Sequence, residues 1–207
     1  MRQPARTAVA VAIATLALAH GVAAQSSVRH PSSAGRTHAI AGGDVVPSHV
    51  GWDDGSVLAH LITGDSLEVA LGELALQRSR NERIRRLART VVREHGARLR
   101  AEREMAGTDG ITPRLHRSDR SMDHLVMAFK ELHPLSGADF DRAWLRHQIT
   151  FHADHLAALA SLKTTARDDE LEDWVDASYA PARRHLERLN DVARTMGVEP
   201  GVVPRRQ

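Results

Sequence analysis

Three histidines, His147, His152 and His155, stand within ten residues of a 207-residue chain that has no cysteine. Without thiolates, a transition-metal site here has to be built from imidazole nitrogen and carboxylate oxygen. Whether these histidines are solvated, hydrogen-bonded in a core or ligands depends on which way each points. That is a question of helix phase, because the surrounding sequence is helical in period and shows no alternating strand pattern.

An α-helix turns 100° per residue, so each helical stretch can be projected and its apolar arc located. In the first, Val57, Leu58, Leu61, Leu71 and Ala75 lie in a wide apolar arc with Glu68 near its middle, while Glu73 falls on the polar side with Ser66 and Gln77. In the second, Ile84, Leu87, Ala88, Val91 and Leu99 flank His95. In the third, Leu145, Ile149, Leu156 and Leu159 flank His152, with His155 at the edge and His147 facing away beside Asp154. In the fourth, Leu171, Trp174, Val175, Leu189 and Val192 flank His185. Each helix thus turns one metal-capable side chain inward.

The heights agree. Counted from a turn near Arg80, Glu68 and His95 lie roughly 18 and 22 Å away, and from a turn near Arg167, His152 and His185 lie roughly 22 and 27 Å away. The expected site is Glu68, His95, His152 and His185 in one layer, with His155 as a further possible ligand. Gln148, one turn before His152, is the expected partner that orients an imidazole. Asp141 is about 16 Å along the axis from His152 and belongs to another layer. One carboxylate and three imidazoles suit a single ion, with zinc, iron, manganese or copper all admissible. A metal-free hydrogen-bonded Glu–His cluster satisfies the same pattern, because a buried carboxylate needs either a cation or a donor.

The elements that must position these residues are four long helices. The first spans about Asp53 to Arg78. Ser79-Arg-Asn-Glu82 reads as a capping box opening the second, which stops near Gly107. A connection of roughly thirty residues follows, with a short helix near Asp123 to Leu132. The third long helix runs from Gly137 to about Thr164, and Asp168-Asp-Glu opens the fourth, which Pro181 should kink. Two tight turns and one long connection predict an all-α four-helix bundle over residues 51–197, either up-down-up-down or with a crossover.

The ends read differently. Arg2 and Arg6, the apolar run Thr7 to Ala19 and the small residues Val22-Ala23-Ala24 form a signal peptide over residues 1–24. Residues 25–50 read as a disordered linker and 198–207 as a flexible tail. Removal of the signal peptide takes away two arginines and no acids, so the formal charge of +2 becomes zero. A neutral chain with 3% aromatic residues offers neither the basic field nor the stacking platforms of a nucleic-acid binder. The expectation is an exported protein, periplasmic or secreted and not integral to the membrane, with no reaction indicated.

Several stretches together resemble a bacterial exported family, domain of unknown function 4142, of the ferritin-like bundles. They are Glu68-Val-Ala-Leu-Gly72, Val91-Val-Arg-Glu-His95, Leu135-Ser-Gly-Ala-Asp-Phe-Asp141, Gln148-Ile-Thr-Phe-His152 and Ala180-Pro-Ala-Arg-Arg-His185-Leu. The resemblance implies a ferritin-like four-helix fold and export, and carries no activity. The di-iron pattern of such bundles is broken, because Val92 and Ala182 stand where a Glu-x-x-His pair would need glutamates.

Two other readings are weak. Gly64-Asp65-Ser66-Leu67 matches a short serine-esterase signature but sits inside a helix with no parallel sheet. The arginines of the second helix could face an anionic surface, or be a solvated face with pairs such as Glu82–Arg86 and Glu94–Arg98. The surviving functions are a metal-binding envelope protein and a metal-free structural or interaction bundle that binds an unidentified envelope component. Export predicts that intact-mass analysis of protein from the envelope fraction shows cleavage near Ala24; a full-length mass retaining Met1 contradicts it.

Overall fold

Three of the four long helices begin at a side-chain oxygen that accepts one of their unpaired N–H groups. Asp53 Oδ1 accepts from Ser56 N (2.9 Å), Asn81 Oδ1 from Arg83 N (2.9 Å) and Asp168 Oδ1 from Leu171 N (2.9 Å). The computed structural model describes His49 and residues 51–203. Its helices are α1 (Asp54–Arg78), α2 (Glu82–Thr108), α3 (Ser121–Leu132), α4 (Gly137–Thr165) and α5 (Asp169–Met196). The expected signal peptide and linker, His49 apart, lie outside the described residues.

The helix boundaries differ from the sequence reading in small ways with physical causes. Asn81, not Ser79, caps α2: Ser79 still belongs to the end of α1, its N–H bonded to Ala75 O, and Asn81 Oδ1 accepts from Arg83 N. α2 runs through Gly107 to Thr108 and is capped by Asp109, whose N–H bonds Met105 O. α5 continues on both sides of Pro181 and ends at Gly197, whose φ of 65° is the left-handed cap that glycine adopts at least cost.

Helix directions follow from contacts at the two ends. The Asp54 carboxylate accepts from the backbone N–H of Arg167 (2.7 Å), so the α4–α5 turn lies at the start of α1. At the other end the Arg78 guanidinium donates to the carbonyls of Leu132, His133 and Leu135 (3.1, 3.0 and 2.9 Å), and sits 5.4 Å from the Phe140 ring centre. One cation thereby satisfies carbonyls freed where α3 ends and α4 is about to begin. α1 and α5 therefore run one way and α2 and α4 the other. The segment 109–136, with α3 inside it, crosses the length of the bundle, which is the single-crossover arrangement of ferritin-type bundles.

The crossover is also tied at its start. Arg114 N donates to Gly55 O (3.0 Å), the Trp52 indole donates to Ser118 Oγ (3.1 Å), and the His60 ring bonds the Asp119 carboxylate (2.9 Å). The α1–α4 seam is sealed by apolar side chains, with Trp144 wholly buried and its indole donating to Leu71 O (2.9 Å). Beyond Gly197 the chain turns back along α5: Asn190 exchanges two hydrogen bonds of 2.8 Å with the Gly201 backbone, and Val198 is buried.

α1 and α2 approach closely at Gly72. A Cβ there would lie 2.7 Å from Val92 Cγ2 and 3.3 Å from Ala88 O. Gly72→Ala is predicted to destabilise the fold by about 1–3 kcal/mol through overpacking. Gly107→Ala, with nothing within 4 Å of the added methyl, is predicted to stabilise it by about 0.5–1 kcal/mol. Paired denaturant titrations check both; equal effects would show that the helices do not meet at Gly72.

Candidate metal centre

The opposed hairpins bring His95 of α2, His152 of α4 and His185 of α5 to one buried layer. One nitrogen from each lies within 4.8 Å of the others. His185 Nδ1 is 3.2 Å from His95 Nε2 and 3.3 Å from His152 Nε2. Glu68 of α1 is fully buried but is not one of the three. Its Oε1 accepts from Gln148 Nε2 (3.1 Å), and its Oε2 has no hydrogen-bond partner. Gln148 meets His152 through its backbone carbonyl, 2.9 Å from Nδ1, rather than through its amide. His155 stacks flat on Phe151, ring centres 6.2 Å apart, outside the trio. Asp141 is buried near the start of α4 and is not part of the trio. His147 pairs with Glu131 (2.9 Å) on the side facing α3.

The outer nitrogens fix the inner ones. A carbonyl can only accept, so His152 Nδ1 carries the hydrogen and Nε2 presents a lone pair. His185 Nε2 contacts the Glu94 carboxylate, so its hydrogen is there and Nδ1 is bare. Two lone pairs therefore face each other at 3.3 Å inside the bundle. The third imidazole is set by Asp65, whose Oδ1 lies 2.6 Å from His95 Nδ1. With Asp65 ionised, His95 Nε2 is a third lone pair. With Asp65 protonated, His95 Nε2–H bridges the other two.

A buried polar chain leads away from Asp65. Arg98 Nε donates to Asp65 Oδ2 (3.1 Å), and its Nη2 donates to Ser178 Oγ (2.9 Å) and Glu102 Oε1 (3.3 Å). The guanidinium lies 5.0 Å from the Trp174 ring centre, and the Trp174 indole donates to Glu102 Oε1 (3.1 Å). This corrects the expected surface pairs. Arg98 turns inward to Asp65, Glu94 reaches His185, Arg93 and Arg188, and Glu82 lies nearest Arg85 and Arg89. Asp65, Glu94, Arg98 and Glu102 are the residues sequence reasoning missed. The signal was present for two: Asp65 is one turn from Glu68 and Arg98 one turn from His95, so each shares a face with a residue already placed inside. Ser66 of the esterase-like stretch bonds back to Ile62 O (2.6 Å) within its own helix.

Burial keeps the imidazoles neutral. Burial, then the Arg98 charge, pushes His95 down to about 4. Burial and the neighbouring histidines hold His152 well below its ordinary value, and burial lowers His185 despite its bond to Glu94. Burial raises Asp65 against the pull of Arg98. Burial and then the Asp65 charge lift Glu102 to about 8. Burial would raise Glu94 too, but its bonds to His185 and Arg93 outweigh this and hold it low.

Burial also lifts Glu68 from 4.5 to about 8, with Gln148 pulling the other way. A carboxyl raised in the fold keeps a proton that the unfolded chain has released. Its stability contribution is full below 4.5 and drains as pH rises to about 8, by up to about 1.4 kcal/mol per pH unit. Above 6.5, the ordinary histidine value, the histidines no longer oppose it. In chelator-treated protein, Glu68→Gln is predicted to flatten the fall between 6.5 and about 8 by one proton's worth, while Glu102 keeps its own share. Denaturant titrations at both ends of the window check this; equal slopes in the two proteins would mean Glu68 is already ionised in the fold.

No curated protein matches the chain. Two solved structures share its helical fold. One, described as CopM in the Cu(II)-bound form, has a TM-score of 0.56 at 18% identity, over 70% of this chain and 97% of that one. The other, a DUF305 protein from Streptomyces coelicolor described as secreted, has a TM-score of 0.60 at 12% identity, over 72% of this chain and 96% of that one. The histidine layer and all but the last turn of the bundle fall within residues 47–192, which match the model described as Domain of unknown function (DUF4142), and the chain belongs to that family.

Proposed function

We propose that this is an exported protein that binds one transition-metal ion through His95, His152 and His185. The observation that carries this reading is the pair of tautomer-locked lone pairs on His152 Nε2 and His185 Nδ1, 3.3 Å apart in the core with His95 Nε2 beside them. Facing lone pairs repel, and a cation among them turns that repulsion into coordination. The outer shell fits as well, since ligating histidines characteristically hold a carboxylate or carbonyl with their other nitrogen. Asp65, Glu94 and Gln148 O fill those three places.

The donor set narrows the metal. Neutral imidazoles suit zinc, copper and iron, whereas manganese draws on oxygen ligands. The structural neighbour described as Cu(II)-bound favours copper among these three. Glu68 supplies the remaining donor, because its Oε2 is buried without a partner and its proton would leave to a cation. An ion so held is buffered, and shielded from exchange with solvent. Export is supported by the signal-like N-terminus and by the neighbour described as secreted. No helix among the described residues is long and apolar enough to cross a membrane.

The metal-free structural reading draws on one observation, that a protonated Asp65 lets His95 bridge the layer without an ion. Elemental analysis of the mature protein separates the two. The metal reading predicts one ion per chain, none in His152→Ala, and an unchanged content in His147→Ala. Asp65→Asn is predicted to weaken binding by about 10–100-fold in a competition titration. At an ion concentration a hundred times Kd, wild type is predicted to gain about 2.7 kcal/mol of stability, and His152→Ala none. No uptake of zinc, copper, iron or manganese under any loading condition overturns the proposal.

A further inference from the structure

The four seams of the bundle are not alike. The α1–α4 seam is closed by Trp144 and Leu71, whereas the α2–α5 seam carries a run of polar pairs. From one end these are Trp174–Glu102, Ser178–Arg98 and His185–Glu94, and beyond them lies a hollow with Leu87 and Val192 at its floor and Arg83, Arg86, Thr90, Asp191 and Thr195 around it. His152 is 1% exposed, His185 6% and His95 7%, and Glu94, which holds the outer nitrogen of His185, has a side chain that is 35% exposed. Of the two carboxylates bonded to the histidine layer, Glu94 and the buried Asp65, Glu94 is thus the one that reaches solvent.

Its surroundings are cationic. Arg93 and Arg188 lie 2.8 and 3.8 Å from the Glu94 carboxylate. Arg184 is one turn from Arg188 on the same face of α5, and no described carboxylate pairs with Arg83, Arg86 or Arg184. The Asp191 carboxylate is taken by Arg194. A bare divalent cation would be repelled by this rim, while an anion would be drawn to it.

The geometry points to the α2–α5 seam as the route by which the ion reaches His185, and to a net-anionic carboxylate complex of the metal as the form in which it arrives. This rests on the metal-binding reading above. The arginines hold the complex by its carboxylates. Glu94 replaces one carrier carboxylate on the ion, the imidazoles replace the rest, and the carrier leaves with its own charge; no electron is transferred. A small chelate and an acidic protein surface present the same carboxylate chemistry, and citrate stands for it in the test.

Copper(II) is mixed rapidly with the metal-free protein at low salt, either with excess citrate or in a non-coordinating buffer. Loading is read by quenching of tryptophan fluorescence, with Trp174 packed on the Arg98 that anchors Asp65. The double variant Arg86→Glu/Arg184→Glu changes two exposed side chains outside the histidine layer. It is predicted to load from the citrate complex about tenfold more slowly, to load from the free ion faster, and to reach the same stoichiometry. In wild type, added salt is predicted to slow citrate loading and to speed free-ion loading as the rim is screened. That second measurement needs no variant. Equal citrate loading in the variant and wild type, or salt effects of the same sign for both forms, overturns the proposal. Wild type that takes up no ion from either source overturns the metal-binding reading itself, and this one with it.

Discussion

An imidazole carries one hydrogen on two nitrogens unless it is charged, so fixing one nitrogen decides the other. In this bundle the backbone of α4 and a carboxylate from α2 make that decision for His152 and His185, and both inner nitrogens are left bare. Inside a low-dielectric core such an arrangement is costly until something positive lies between them. The rest of the layer can be understood from this constraint. His95 completes the group, Asp65 sets what His95 can do, and Arg98 sets the charge on Asp65. The Arg98 guanidinium in turn needs Glu102, Ser178 and the face of Trp174, so the chain of dependence runs through two helical turns of the α2–α5 seam.

The same constraint explains how stability is distributed. A buried charge network is weak support for a fold, because desolvation offsets much of the attraction. Here the apolar work is done elsewhere, within the two hairpins and along the α1–α4 seam, where Leu58, Leu71, Phe140 and Trp144 are wholly buried. Arg78 and the Asp53–Asp54 pair fasten the ends, so the crossover can span the bundle without strands or disulfides. That division leaves the α2–α5 seam to carry the polar pairs that hold the histidine layer.

Much of the layer was legible in the sequence because it depends on local geometry alone. A 100° projection turns Glu68, His95, His152 and His185 inward from their own helices, where all four are buried, and counting residues from the turns brings the three histidines to one height even though the turns lie at opposite ends. The partners were not legible for the opposite reason. Asp65 sits 30 residues from His95, and Glu94 sits 91 from His185. Phase can put Asp65 on the face of Glu68, but it does not say which residue of another helix a side chain meets. Arg98 looked like a surface partner for Glu94 because an i,i+4 pair is the default for an exposed helix. The cross-helix carboxylate of Asp65 takes it instead, since an arginine beside a buried acid gains more there than on the surface. The crossover direction was likewise hidden: it depends on Asp54 meeting Arg167 across 113 residues, which no periodicity encodes.

The departure from a two-iron centre has a packing cause as well as a chemical one. The residue one turn before His95 is Val92, and its methyl group lies against the backbone of α1 at Gly72, where even a single added carbon would collide with it. One turn before His185 stands Ala182, buried and too short to reach any ion. A valine packed against α1 and a short alanine therefore stand in the places of bridging carboxylates. Two acids, Asp65 and Glu94, act on the outer nitrogens of histidines instead of on the centre. They place carboxylates at one remove, Arg98 offsets part of their charge, and three nitrogens face inward. That arrangement favours a single borderline cation over a pair of hard ones, because oxygen bridges are what hold two hard cations together.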